Sequence, residues 1–161
     1  MGDYARKIVQ DADKIIEMLN KAFADEWLAY YQYWIAAKVV EGPMRPNVEA
    51  ELDEHAKEEL EHADKLANRI VELGGTPLKD PKTFGDHSTC GYDAPEKEDV
   101  ESILADNVKA EQCAIQVYHD LMEFCKDRDP VTYHLALDIL KDELEHEQDL
   151  QDIQADLSHR T

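Results

Sequence analysis

Basic residues are scarce in this chain: 17 lysines and arginines stand against 37 aspartates and glutamates, a formal charge of −20 over 161 residues. That balance argues against unaided binding to nucleic acid or to an anionic membrane, and it makes cations the expected guests. Cysteine is scarcer still. The three present, Cys90, Cys113 and Cys125, are odd in number and form no close zinc-type pair, so the residues alone signal neither a disulfide framework nor a structural zinc site, and reduced intracellular thiols are expected. Long uncharged runs are also missing. In the first helical segment the longest, Trp27 to Ala37, falls well short of the ~20 residues of a membrane span, and Met1, Gly2, Asp3 and Tyr4 open no secretory leader. The expectation is a single soluble, cytoplasmic domain over residues 1–161 with no membrane association.

Proline and glycine number six each, and they fall mostly between four long segments with helical periodicity. Punctuation predicts a first helix from about Asp3 to Val40, stopped by Gly42 and Pro43. A second follows Pro46 with Asn47 as N-cap and ends at Gly74 and Gly75. A third is expected from Asp93 as cap with Pro95 in its first turn, and a fourth from Asp129 as cap with Pro130 leading. The connection from Gly74 to Ala94 holds Pro77, Pro81, Gly85 and Gly91. It is long enough to run the full length of a helix, which predicts an all-α four-helix bundle with an overhand crossover between helices two and three.

Each segment carries an apolar seam at steps of three or four. The first reads Ile8, Ala12, Ile15, Leu19, Ala22, Glu26, Ala29, Tyr33, Ala37, Val40; the second, Leu52, Ala56, Glu59, Ala63, Leu66, Ile70, Leu73. The third is Val100, Leu104, Asn107, Glu111, Ala114, Tyr118, Leu121, Cys125, and the fourth Ala136, Ile139, Glu143, His146, Leu150, Ile153, Leu157. A glutamate interrupts every seam near mid-helix. Neighbouring helices bring their midpoints to one level, so Glu26, Glu59, Glu111 and Glu143 should meet inside the bundle, where ionised carboxylates are tolerable only with a positive partner.

Two of these acids begin Glu-x-x-His pairs, Glu59 with His62 and Glu143 with His146, a spacing that puts carboxylate and imidazole on one helix face. With 18 glutamates and 7 histidines in the chain, about one such pair arises by composition alone. Their position in the seam is what distinguishes them from solvated acids such as Glu54, Glu58 and Glu61. Four carboxylates balance two divalent ions, and with two neutral histidines the filled site carries no net charge. Bridging carboxylates with open positions suit iron, with manganese as an alternative. A metal-free structural bundle is the bland competing reading.

This constellation resembles the ferritin-like superfamily, over essentially all of residues 1–158, and is most similar to bacterioferritins and their Dps-like relatives. The resemblance implies that Glu26 and Glu111 are terminal ligands, that Glu59 and Glu143 bridge, and that His62 and His146 supply nitrogen. It also implies ferroxidation of Fe(II) by hydrogen peroxide or oxygen, iron storage and protection from oxidative stress. The residue after the bridging glutamate of helix two, where bacterioferritins place a haem-ligating methionine, is Leu60, so no haem is expected. Only 15 residues follow His146, too few for the short fifth helix of the larger shells, which favours a dodecameric homo-oligomer. A Dps-like branch, the thioferritins, places paired cysteines near the metal site, and Cys90 and Cys113 match as a redox thiol pair, against two unrelated buried thiols; Cys125 is read as core. Tyr33 matches a tyrosine held near the iron in bacterioferritins, where it could supply an electron, or else it simply fills the seam. Trp27 and Trp34 suit the core or a subunit contact, and His55, His119 and His134 are read as surface or interface residues. The ends carry few basic residues, Arg6, Lys7 and Arg160 among them, so no direct DNA binding is expected. A rubrerythrin-like peroxidase or a manganese-catalase-like enzyme without mineral storage is the alternative activity.

Overall fold

The computed structural model describes residues 4–159, so the expected helix start at Asp3 and the tail residue Arg160 lie outside the described residues. Four long helices dominate: α2 (Ala12–Val39), α3 (Arg45–Glu72), α5 (Val100–Cys125) and α6 (Pro130–Ser158), with short helical turns α1 (Ala5–Ile8) and α4 (Phe84–His87) and one 3₁₀ turn, Pro81–Thr83. No helix among the described residues is long and apolar enough to cross a membrane.

Helix boundaries depart from the punctuation at three places. The first expected helix is broken at Val9–Asp11, where Asp11 takes the left-handed conformation (φ 55°) and offers its carboxylate to Arg128 Nε at 3.0 Å. That break turns Ile8 outward, 69 % exposed, and buries Val9 in its place. Asn47 is not a cap, because the turn after α2 closes through Gly42 (φ 121°) and Met44 (φ 60°), so α3 starts at Arg45 and takes Pro46 into its first turn. Asp93 caps nothing either. Residues 91–98 form no helix, and the chain at their end pairs with the α2 exit: Glu41 N–H donates to Glu98 O at 2.7 Å and Val100 N–H to Glu41 O at 3.0 Å. Asp99 caps α5 instead, accepting from Ser102 N–H at 2.9 Å. The fourth start is as expected, Asp129 capping Val131 and Thr132 N–H.

Contacts of the α2 exit with the α5 start, matched by Gln10 N–H to Arg128 O at 3.2 Å at the other end, make α2 and α5 antiparallel neighbours. Helices α2 and α3 pack as one hairpin and α5 and α6 as the other. The crossover therefore runs the length of the bundle, leaving α3 through Gly75, where an added Cβ would sit 2.7 Å from Ile16. Asn20 holds it there, accepting from Leu78 N–H at 2.9 Å and donating to Thr76 O at 3.2 Å.

Apolar packing is divided in two. One cluster gathers Ile15, Leu19, Leu66, Ile70, Leu121 and Ile139 near one end; the other gathers Ala37, Val40, Val48, Leu52, Leu104 and Leu150 near the opposite end. The seam glutamates lie in sequence between the two. At the first cluster's end of the bundle, Arg69 joins α3 to the start of α6. It donates to Asp129 from Nη2 at 2.8 and 3.0 Å and to Thr132 Oγ1 from Nε at 2.9 Å. Burial raises the Asp129 carboxyl, yet Arg69 and Thr132 outweigh it and hold it below its ordinary value. Its contribution is therefore present above pH ~3.8 and lost as pH falls through the lower folded value. Arg69→Met leaves Asp129 buried without its partner and is expected to cost about 3–5 kcal/mol, a drop on the order of 10 °C in thermal midpoint; adding Asp129→Asn should restore part of it. An unchanged midpoint in Arg69→Met would refute the anchoring role.

Candidate metal centre

All six residues expected to be ligands converge. Glu26, Glu59, Glu111, Glu143, His62 and His146 are each 3 % exposed or less, and they sort into two overlapping quartets. Glu26, Glu59, His62 and Glu143 form one; Glu59, Glu111, Glu143 and His146 form the other. In each, one ligand atom per residue lies within 4.8 Å of the rest. Glu59 and Glu143 belong to both quartets, as bridging groups must, and Glu26 and Glu111 to one each.

Each imidazole turns Nδ1 inward. His62 Nδ1 lies 3.3 Å from Glu59 and Glu143 and 3.5 Å from Glu26, and His146 Nδ1 lies 3.3–3.7 Å from Glu143, Glu59 and Glu111. The outer nitrogens are held by acids from the opposite helix. Nε2 of His62 meets Asp142 at 3.0 Å and Nε2 of His146 meets Glu58 at 2.6 Å. Such partners fix the ring orientation and strengthen Nδ1 as a ligand. Two tyrosines cross the bundle in the same manner, Tyr33 donating to Glu111 Oε1 and Tyr118 to Glu26 Oε1.

Despite this, Glu26 Oε2, Glu111 Oε2, both Glu143 oxygens and His146 Nδ1 are buried without a hydrogen-bond partner. Several unpaired acceptors facing one another in the interior is a costly arrangement for packing alone and a suitable one for cations. The donor set therefore fits two metal ions. Without metal, protons must do the balancing. Burial, then repulsion from Glu143, pushes Glu59 well above the carboxylate range and Glu111 up to about 8. Burial opposes charge on His62 and His146, but the surrounding glutamates outweigh it and raise both. Glu143 is pulled down to about 2 because its contacts with the two imidazoles exceed its own desolvation.

Beside the carboxylates lies a cavity of about 270 Å³ whose walls include Glu26, Tyr33, Glu111, Tyr118, Cys90 and Cys113. The last two form a disulfide, their Cα atoms 5.8 Å apart. Reduced, unpaired thiols were the expectation from the residues, and it fails for this pair because a docked crossover, which no local spacing encodes, brings Cys90 to α5. Asp25, next to Glu26, does the docking: it accepts from Thr89 and Cys90 N–H at 2.9 and 2.8 Å and from the Ser88 hydroxyl. Cys125 is buried and unpaired, as expected of a core residue.

Some expectations need correction. His55 is not a surface residue but is 2 % exposed, its ring stacked on His146 with centroids 4.1 Å apart. It stands four residues before Glu59 and seven before His62, on their helix face, a spacing that could have revealed it. Glu58 is half-exposed as a solvated acid should be, yet it is engaged by His146. Tyr118 is a seam residue by period, and it also follows Glu111 by the same seven positions that separate Tyr33 from Glu26. His119 and His134 are exposed. Trp34, 39 % exposed, stands with Tyr31 and Tyr92 in a surface aromatic group, whereas Trp27 packs against Phe23 and Phe84.

A profile of the ferritin-like domain matches residues 16–159. The chain belongs to the ferritin-like family. It is 36 % identical over 153 residues to the DNA protection during starvation protein of Pyrococcus furiosus, covering 91 % of this chain and 82 % of that one. To the bacterioferritin of Desulfovibrio desulfuricans it is 30 % identical over 136 residues, covering 83 % and 70 %. Its structure superposes on that of a dodecameric thioferritin, the bacterioferritin-related protein of Bacteroides fragilis, with a TM-score of 0.94 and 44 % identity over 98 % of this chain and 94 % of that one. The ferritin-like bundle is thereby established.

Proton balancing has a measurable consequence in the metal-free protein. Glu59, Glu111, His62 and His146 all have raised folded values, so each adds stability that is lost as pH rises toward that value. Between pH 6.5 and 8 all four act in one direction, and His55, depressed to about 3 chiefly by burial, adds a single opposing slope that fades as pH rises above its unfolded value. With chelator present, the thermal midpoint should fall across this window, and Glu111→Gln should flatten the fall. A midpoint that rises instead contradicts the buried protonated cluster.

Proposed function

We propose that this chain is a shell-forming ferroxidase that takes two Fe(II) ions per subunit as substrate and oxidises them with hydrogen peroxide or oxygen, for iron storage and oxidative-stress protection. The observation that carries the reading is the pair of overlapping quartets sharing Glu59 and Glu143. Two ferrous ions held side by side supply two electrons together, so one hydrogen peroxide is cleaved to two hydroxide ions without release of hydroxyl radical. Oxygen-rich ligation by four carboxylates favours the ferric product, and manganese could occupy the same donors.

The residues divide the work. Glu26 with His62 and Glu111 with His146 each hold one ion, while Glu59 and Glu143 set the distance between ions. Asp142 and Glu58 keep Nδ1 of each imidazole aimed inward, and Tyr33 and Tyr118 steady one oxygen of each terminal carboxylate. Tyr33 is also placed to supply an electron. The oxidant approaches through the cavity beside Glu26 and Glu111, whose wall puts Cys90 and Cys113 in its path as a redox pair: the dithiol would give two electrons and two protons to hydrogen peroxide, leaving the disulfide and two water molecules. Likeness to the dodecameric thioferritin of Bacteroides fragilis supports a dodecameric shell.

Anaerobic Fe(II) titration should saturate near two ions per chain and release several protons, approaching four at neutral pH, because two divalent cations replace the protons on Glu59, Glu111, His62 and His146. Glu59→Ala and Glu143→Ala should each abolish paired binding and slow ferroxidation at least ~100-fold. Asp142→Asn should weaken binding by ~10–100-fold. Particle size on the same samples tests the shell; a small oligomer that turns over peroxide without accumulating iron would instead indicate the rubrerythrin-like or manganese-catalase-like alternative.

A further inference from the structure

Two neutral carboxamides, Gln32 and Asn107, stand in the wall of the cavity beside the carboxylates, at positions where the twofold repeat has hydrocarbon. Asn107 lies four residues before Glu111, and its counterpart four before Glu26 is Ala22. Gln32 precedes Tyr33, and its counterpart before Tyr118 is Val117. Both amides are buried, Gln32 6 % and Asn107 2 % exposed. Burying a polar side chain where an aliphatic one serves the other half of the bundle costs stability unless its hydrogen-bonding groups are used. Part of that use is structural. Gln32 Oε1 accepts from Asp93 N–H of the crossover at 3.3 Å, Gln32 Nε2 donates to Asn107 Oδ1 at 3.3 Å, and Asn107 Nδ2 donates to Ile103 O at 2.8 Å.

These bonds use only half of the available donors. A carboxamide nitrogen carries two N–H groups, and each nitrogen gives one, so one N–H of Gln32 and one of Asn107 stay uncommitted. Elsewhere the buried wall offers acceptors. Tyr33 and Tyr118 commit their hydroxyl protons to Glu111 and Glu26, the cystine has no donor, and the glutamates become acceptors once cations displace their protons. Lys109 also borders the cavity, but its side chain is 77 % exposed and paired with Asp93 at 3.3 Å. Spare N–H donors on one flank and carboxylate oxygens on the other complement a small neutral molecule that both accepts and donates. Hydrogen peroxide does both, with two O–H groups and lone pairs on each oxygen. Dioxygen has no hydrogen to give and accepts only weakly.

We propose that Gln32 and Asn107 form a hydrogen-bonding subsite that holds hydrogen peroxide beside Glu111 and so sets the choice between peroxide and oxygen. That role rests on the ferroxidase reading. Asn107 stands one helical turn before Glu111, on the same face of α5, and Gln32 adjoins Tyr33, which donates to the same carboxylate. A molecule bonded to both amides is therefore next to the paired ligands. The step needs no further reactant: peroxide takes one electron from each of two Fe(II) ions, its O–O bond breaks, and two hydroxide ions form.

Assembled protein loaded anaerobically with Fe(II) is mixed with hydrogen peroxide or with oxygen over a range of concentrations, and kcat and KM are measured for each oxidant. Asn107→Leu should raise KM for peroxide about tenfold, the effect of one lost hydrogen bond, and lower the ratio of kcat/KM for peroxide to that for oxygen by the same factor. Gln32→Met should lower this ratio in the same direction. Amides that only brace the crossover would slow both reactions alike, so a ratio unchanged in both variants overturns the subsite and leaves the paired centre standing. Particle size and Fe(II) count identify a variant that fails to assemble; should Asn107→Leu do so, Gln32→Met, which leaves the α5 seam untouched, decides. Wild-type protein that oxidises iron with neither oxidant refutes the ferroxidase reading, and the subsite falls with it.

Discussion

Four carboxylates buried at one level of a helical bundle impose the constraint on which the rest of this structure depends. Their mutual repulsion and lost hydration oppose folding, so the chain surrounds them with proton donors and inward-facing imidazoles, and confines apolar packing to a cluster on either side. Stability gathered at the ends, through those clusters and through the Arg69–Asp129 anchor, allows the middle to remain poorly satisfied. A fully satisfied middle would fold more stably and would have little use for a cation.

Much of this was legible in the sequence because helical periodicity is local. A seam at steps of three and four names the buried face, and a glutamate within it names the anomaly, so all six residues that converge at mid-bundle could be read before any coordinates. What escaped was non-local. Ile8 belongs to the seam by period, but the break at Asp11 depends on Arg128, more than a hundred residues away. Asp93 looks like a cap until the α2 exit captures the strand-like stretch before Asp99. The disulfide depends on Asp25 receiving the crossover. His55 escaped for another reason: it flanks the seam rather than interrupting it.

The twofold repeat explains how a modest set of residues closes the site. Acid-Glu-x-x-His occurs as Glu58-Glu59 with His62 and as Asp142-Glu143 with His146, and Glu-x6-Tyr occurs as Glu26 with Tyr33 and Glu111 with Tyr118. The contacts that hold the outer atoms of these side chains cross between halves: Asp142 to His62, Glu58 to His146, Tyr33 to Glu111, Tyr118 to Glu26. Neither hairpin therefore supplies the outer partners of its own imidazole or terminal carboxylate. Site assembly is coupled to docking of the two hairpins, and the crossover that joins them sets which faces meet.

Departures from the repeat show where the site communicates with its surroundings. The residue before Glu26 is Asp25, which draws the crossover and its cysteine onto the bundle, whereas the residue before Glu111 is Ala110. Four residues before Glu59 stands His55, whereas four before Glu143 stands Ile139, buried in the apolar cluster. The His146 side thus opens through a polar, acid-lined cavity and the His62 side is backed by hydrocarbon at the matching position. A symmetric centre would offer two equivalent routes to both cation and oxidant. Breaking the repeat at these two positions makes the two sides of the centre unequal, an acid-lined cavity beside His146 and a separate one beside the disulfide.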